Sequence, residues 1–184
     1  MTKSIDKGKN YERYIADKLT DWAGFKIIRT PQSGAWQGTS GDIIPENRER
    51  PFIWIIECKK AERWSLEAIL LGNCALFSSW LAQMLEEVHS DYVITNTWRL
   101  PVLIFSRNRK PDFVCIPVHY VSLLAYGICA PTFIKLNHSS DASYTIVPLD
   151  ELLTFNSFES FEAFIERYLA TSSCQEYFES YKSA

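Results

Sequence analysis

The sequence predicts an α/β domain in which a mixed sheet of about five strands carries helices on its faces. An amino-terminal helix precedes the sheet and a carboxy-terminal α/β segment follows it. Three observations carry this reading. Tyr11, Tyr14, Ile15, Lys18, Leu19 and Trp22 fall at helical spacing. Phe52 to Cys58 is a short, almost wholly apolar run between Pro51 and Lys59-Lys60, the pattern of a strand buried on both faces. Pro101 to Phe105 and Phe113 to Ile116 flank a basic turn, as the two arms of a hairpin do.

In chain order, Ser4 and Asp6 are candidate caps for a helix from about Lys9 to Asp21, ended by Ala23-Gly24. Phe25 to Thr30 is the first strand, with Ile27 and Ile28 apolar and Arg29 near its end. Pro31 to Gly41 is a polar, glycine-containing loop with one tryptophan, Trp36, and such a loop beside an acid suits a mobile active-site segment. Ile43-Ile44 and the run ending at Cys58 form a hairpin around the polar loop Pro45 to Pro51. Ser65 caps the next helix, which runs from Leu66 to about Glu87, either unbroken or as two helices joined near Gly72-Asn73. Tyr92 to Thr95 is read as a short strand. Beyond His119 the expected elements are a helical turn over Val121 to Tyr126, strands Thr132 to Leu136 and Tyr144 to Val147, and helices Asp150 to Phe155 and Ser157 to Leu169. The last helix places Phe158, Phe161, Phe164, Ile165 and Tyr168 on one face. That face suits packing on its own domain, or a dimer or partner contact.

The chain has 184 residues, 47 % hydrophobic and 22 % charged, enough for one domain with a real core. The expected organisation is a core over residues 1–120, with 121–184 packed on it as an extension. No charged-then-apolar leader and no run approaching ~20 apolar residues is present. Five cysteines without a C-x-x-C pair, mostly within apolar runs, read as reduced thiols in a cytoplasmic protein. The three histidines lack metal-ligand spacing, so zinc is not expected. Residues 1–110 hold 16 Lys/Arg against 13 Asp/Glu (net +3), and residues 111–184 hold 3 against 9 (net −6). The first part is compatible with a phosphate backbone. The acidic part suits solvent or a protein partner.

The strand over Phe52 to Cys58, with the lysines that bound it, carries the chemistry. Side chains alternate along a strand, so Glu57 and Lys59 share one face and Cys58 points to the other. Antiparallel pairing with the run that begins at Asp42 brings Asp42 beside Glu57. Two such acids repel unless a cation joins them, and carboxylates with a backbone carbonyl suit Mg²⁺. A lysine beside the metal orients or deprotonates water, and the chemistry is hydrolysis of a phosphodiester. For a lone Glu-x-Lys the alternative is an ordinary salt bridge at a strand end; the upstream Gly41-Asp42 and the hairpin spacing favour a site.

Asp42 followed by Glu57-Cys58-Lys59 resembles the PD-(D/E)xK nuclease signature, with Gly41 where proline is usual. Lys7-Gly8-Lys9-Asn10-Tyr11-Glu12-Arg13 and Ile27 to Gly34 extend the resemblance to the archaeal-type Holliday-junction resolvases and their viral relatives, over roughly residues 5–110. The resemblance implies a restriction-endonuclease-like core, with Asp42, Glu57, the Cys58 carbonyl and Glu12 at a Mg²⁺ site that Mn²⁺ would also serve; apart from the resemblance, Glu12 reads as a solvent-facing acid paired with a nearby basic residue. It implies that Lys59 positions water, that Ser33 belongs to the site, and that Arg29 handles the scissile phosphate. Arg13 is a further candidate phosphate contact. Trp36 suits stacking on an exposed base, or a place in the core or a dimer contact. Arg107, Arg109 and Lys110 in the basic turn suit DNA flanking the cut, or plain solvation. Gln83 invites comparison with a glutamine of related nucleases, but its offset from Lys59 is longer than expected and it is not assigned to the site.

The expected activity is Mg²⁺-dependent cleavage of branched or four-way DNA by a homodimer that needs no membrane, since a resolvase must cut two symmetry-related strands. The alternatives are a restriction or repair nuclease on linear DNA, or an inactive module that binds nucleic acid or protein.

Overall fold

The computed structural model describes residues 2–31, 40–118, 120–132, 134–137 and 143–171. Helix α1 (Thr2–Ala23) leads into strands β1 (Ile27–Arg29), β2 (Ile43–Pro45) and β3 (Trp54–Lys60). Helices α2 (Leu66–Leu70) and α3 (Ala75–Thr95) carry the chain to β4 (Leu100–Ser106) and β5 (Phe113–Ile116). Helix α4 (Tyr120–Ala125), strands β6 (Ile134–Asn137) and β7 (Ser143–Pro148), and helices α5 (Leu149–Phe155) and α6 (Phe158–Leu169) complete the described order.

All seven strands form one mixed sheet in the order β1-β2-β3-β4-β5-β7-β6. Only β3 and β4 run parallel, with Glu57 opposite Leu103; the other neighbours are antiparallel. Parallel neighbours need a long crossover, and α2 with α3 supplies it. The sheet is wider than the five strands expected, because β7 pairs with β5 and β6 with β7, so residues beyond His119 extend the same sheet.

Alternation along β3 sorts the two layers. Ile56 and Cys58 join Tyr11, Ile15 and Leu19 of α1 in the main core, together with Phe158, Phe161, Phe164 and Ile165 of α6. Ile55 lies on the opposite face against Val88 of α3. The aromatic face of α6 is thus spent inside the domain. Trp22, Trp54, Phe158 and Phe161 form edge, tilted and stacked ring contacts at 5.3–6.0 Å, and the Trp22 Nε1 hydrogen bond to the Asn156 carbonyl (2.7 Å) fixes the join.

Two local expectations are corrected, and one left open is decided. Helix α1 begins at Thr2 rather than near Lys9, so Ser4 and Asp6 lie inside it and do not cap it. Gly8 weakens a helix by only about 1 kcal/mol, and Lys7 Nζ bound to Glu62 Oε1 at 2.6 Å ties these early turns to the segment after β3. Tyr92–Thr95 is the last turn of α3, not a strand. Buried Asp91 is ion-paired with Arg99 Nε at 3.3 Å and accepts from Ser40 Oγ at 3.1 Å, and Tyr92 stacks on Trp98 at 3.8 Å; these tertiary contacts override the β-branched composition. The long helix divides in two at Leu71–Cys74, where Gly72 takes a φ of +69°.

Candidate active site

The turn into β2 sets the first acid. Thr30 donates from its backbone N–H to the Asp42 carbonyl (2.8 Å) and from its hydroxyl to the Gly41 carbonyl (2.7 Å). Asp42 N–H donates to the Ile56 carbonyl (2.8 Å), and Asp42 Oδ2 accepts from the Cys58 N–H (2.8 Å). The backbone and side chain of Asp42 are therefore both locked to β3. Gly41 sits at φ +92°, and a Cβ there would lie 2.9 Å from the Ile56 carbonyl oxygen. Only glycine allows so close an approach at that φ, which is the physical reason the residue before the acid is not proline.

The second acid and the lysine meet on the α3 face of β3. Lys59 Nζ is ion-paired with Glu57 Oε1. Gln83 of α3 joins them: its Nε2 donates to Glu57 Oε1 (2.9 Å) and to Glu87 Oε1 (3.1 Å), while its Oε1 accepts from Lys59 Nζ (2.9 Å). Sequence reasoning set Gln83 aside on its offset from Lys59. Helix α2 and the break at Leu71–Cys74 account for the added length, and the glycine at that break was the signal that could have recovered it.

Burial and crowding of like charges decide the electrostatics. Glu57 is 2 % exposed; burial, then the charges of Asp42 and Glu87, push its carboxyl above the ordinary range, against the pull of Lys59. Asp42 is raised too, first by burial and also by Glu12 and Glu87, although the Cys58 N–H and Lys59 oppose the shift. The Cys58 side chain lies in the main core, on the face away from Glu57 and Lys59, where burial drives its thiol pKa upward; its backbone carbonyl is what it has to offer a cation.

Glu12 and Arg29 are brought together with each other: Arg29 Nε donates to Glu12 Oε2 at 2.6 Å, both side chains 17 % exposed. The pair lies close enough to the acids for Glu12 to raise Asp42. Arg13 is exposed and donates to Asn10 Oδ1 (3.0 Å). Arg107 is partly committed, donating to the Trp64 carbonyl (3.0 Å), while Arg109, at φ +59°, and Lys110 are exposed. Ser33 and Trp36 lie outside the described residues.

Among the described residues no three His, Cys, Asp or Glu side chains gather into a ready metal cage, and the Glu12 carboxylate is paired with Arg29. The two remaining acids fit Mg²⁺ nonetheless. Among the described residues nothing donates a hydrogen bond to Asp42 Oδ1 or Glu57 Oε2, both acids are raised by burial and by neighbouring carboxylates, and Mg²⁺ keeps several waters rather than needing an all-protein cage.

These raised values predict a pH dependence. Between the ordinary values of 3.8 and 4.5 and the raised ones, folded Asp42 and Glu57 hold protons that the unfolded chain has released. Stability must then fall as pH rises through that window. Melting curves in chelator should show Tm declining with pH in wild type and a flatter profile in an Asp42→Asn/Glu57→Gln double variant. Identical slopes would mean the two acids are not strained.

An acid pair, lysine and glutamine at the end of a central strand in a mixed α/β sheet define the PD-(D/E)xK class of nuclease folds. The chain belongs to the family described as "Phage putative PDDEXK endonuclease", whose model matches residues 3–165. No curated protein matches the sequence. Among solved structures it is similar to Hjc of Archaeoglobus fulgidus, a Holliday junction resolvase from an archaeal hyperthermophile, at 15 % identity and a TM-score of 0.37. That match covers 84 % of this chain and 98 % of that one. No helix among the described residues is long and apolar enough to cross a membrane.

Proposed function

We propose that the protein is a Mg²⁺-dependent DNA endonuclease that cleaves branched DNA, four-way junctions above all, as a homodimer. The observation that carries the nuclease reading is the convergence of Asp42, Glu57, Lys59 and Gln83 at the end of β3. Asp42 and Glu57 would hold the ion, with the Cys58 carbonyl as a further ligand and Glu12 beside them. Bound Mg²⁺ would lower the pKa of a coordinated water and offset charge on the phosphate; Mn²⁺ would substitute for it.

The remaining work falls to the chain. Lys59 positions the attacking water and takes or steers its proton. Gln83 holds Lys59 by its oxygen and Glu57 by its amide, so the lysine is presented in one place without being locked into the ion pair alone. Arg29, once freed from Glu12 by a competing phosphate, offers a planar fork to the scissile group. Lys59→Ala should keep metal and DNA binding yet lose about 10²–10⁴-fold in turnover. Lost Mg²⁺ binding by calorimetry, or a rate within a few-fold of wild type, would refute that role.

The preference for branched DNA is supported by the resemblance of Lys7 to Gly34 to the resolvases. It is also supported by the small net charge of residues 1–110, which implies few phosphate contacts and recognition by shape. The deciding test is cleavage of a four-way junction, linear duplex and single strand with and without Mg²⁺, joined to a gel-shift competition. Junction binding should survive higher salt than duplex binding. If excess linear duplex displaces the junction as well as unlabelled junction does, or the cleaving species scatters light as a monomer, the protein is instead a nuclease of linear DNA.

A further inference from the structure

A second cleft opens at the same end of β3, on the face opposite the acid–lysine site. It has a volume of about 530 Å³ and is lined by Asp6, Lys7, Asn10, Tyr11, Tyr14, Lys60 and Asn108. Alternation sends Lys59 to Glu57 and its neighbour Lys60 into this cleft. Lys60 makes no ion pair among the described residues; its Nζ lies 4.7 Å from the centre of the Tyr11 ring.

The aromatic wall is built, not incidental. Tyr11 and Tyr14 stack at 6.2 Å with 27° between planes. Their hydroxyls are pinned to the two oxygens of one buried carboxylate, Asp112, at 3.0 and 3.1 Å, and Lys18 Nζ approaches that carboxylate at 3.5 Å. Tyr14 nevertheless stays 48 % exposed, a large ring held rigid against solvent. Asn10 uses its oxygen on Arg13, leaving its amide hydrogens to donate, and exposed Asn108 stands across the opening.

A fixed aromatic platform, a lysine without an acid partner and two side-chain amides fit one kind of ligand. The ring takes a base by stacking, the ammonium its phosphate, and the amides the base edge. We propose that this cleft binds an unpaired nucleotide of the DNA strand next to the cleaved bond. The inference rests on the nuclease reading for its choice of ligand, and it gives that reading a structural source of preference for branched over fully paired DNA. Because Lys59 and Lys60 are consecutive, a strand crossing the end of β3 meets the scission site on one face and the cleft on the other.

The test uses the full chain in chelator, so that binding is measured apart from cleavage. Duplex carrying one bulged 2-aminopurine, the same duplex fully paired, and free dAMP are titrated in parallel. Wild type should quench the bulged base and bind bulged DNA about tenfold more tightly than paired duplex. Lys60→Gln and Asn108→Ala, checked for folding by circular dichroism, should each lose most of that difference. Tyr14→Leu should abolish the quench, and Tyr14→Phe, which keeps the ring but loses its hydrogen bond to Asp112, should retain part of it. If both Lys60→Gln and Asn108→Ala discriminate as wild type does, the cleft is not the site. If free dAMP competes as well as bulged DNA, the occupant is a free nucleotide and the proposal of a DNA strand is overturned. A parallel Mg²⁺ cleavage assay separates the two readings. Absent cleavage with cleft-dependent quenching removes the nuclease and keeps the cleft; intact cleavage with cleft-independent binding does the reverse.

Discussion

Asp42→Asn and Glu57→Gln are each expected to lose Mg²⁺-dependent cleavage by 10³-fold or more, on the order of what losing metal-based charge stabilisation implies. Both are also expected to fold at least as stably as wild type in metal-free buffer at neutral pH. The two expectations have one cause. Burial raises both carboxyls, and the charges of Asp42 and Glu87 add to this at Glu57 while those of Glu12 and Glu87 add to it at Asp42, a cost that a bound cation would offset and an amide removes. The hydrogen bonds survive the exchange. An asparagine oxygen can still accept from the Cys58 N–H, and a glutamine oxygen can still accept from Gln83 Nε2 and Lys59 Nζ. Cleavage rates across a Mg²⁺ titration and urea unfolding in chelator check both halves. A variant that cleaves at near wild-type rate removes that residue from the metal site. One that unfolds at clearly lower urea shows that the acid stabilises the fold instead.

Gly41→Pro, which writes the usual proline into the signature, is expected to destroy the site. Proline fixes φ near −65°, whereas Gly41 stands at +92°, so the turn that feeds Asp42 to β3 cannot form with it. Gly41→Ala tests the same point more gently. Its Cβ would meet the Ile56 carbonyl oxygen at 2.9 Å and the Ile56 nitrogen at 3.0 Å, and a non-glycine residue held at such a φ costs about 1–3 kcal/mol. Loss of the Asp42 contacts to Ile56 and Cys58 would follow. Urea midpoints should fall for the alanine variant and further for the proline variant, with cleavage failing in the same order. A proline variant that folds and cleaves like wild type would mean that the turn is free to adopt the other conformation.

Much of the framework was legible because it rests on periodicity. The 3.6-residue stripe of α1 and the alternation of β3 follow from backbone geometry alone, and with them the sharing of one face by Glu57 and Lys59. The proximity of Asp42 to Glu57 was legible for a related reason: the hairpin between β2 and β3 is local, and its register, Ile43 opposite Ile56, continues Asp42 toward Glu57. The family resemblance rested on those same residues, and the family model spans them.

What escaped the sequence depended on contacts between distant segments. Tyr92–Thr95 reads as a strand by composition, but the buried Asp91 ion pair with Arg99 and the Tyr92–Trp98 stack hold it in α3. Gln83 was set aside on its offset from Lys59, and its contacts with Glu57 and Lys59 depend on how α3 lies against β3. Glu12 was read as a metal-site acid, with pairing to a nearby basic residue as the alternative, and Arg29 as a phosphate contact; the folded chain shows that the basic partner of Glu12 is Arg29 itself. The sequence by itself determined which residues alternate, which face the core, and that two acids and a lysine end one strand. Only the tertiary structure decided that Gln83 links Glu57 to Lys59, that Asp112 pins two tyrosines beside Lys60, and that Gly41 must be glycine. Periodicity is a property of one segment's backbone, while these three depend on where a second segment comes to rest against the first.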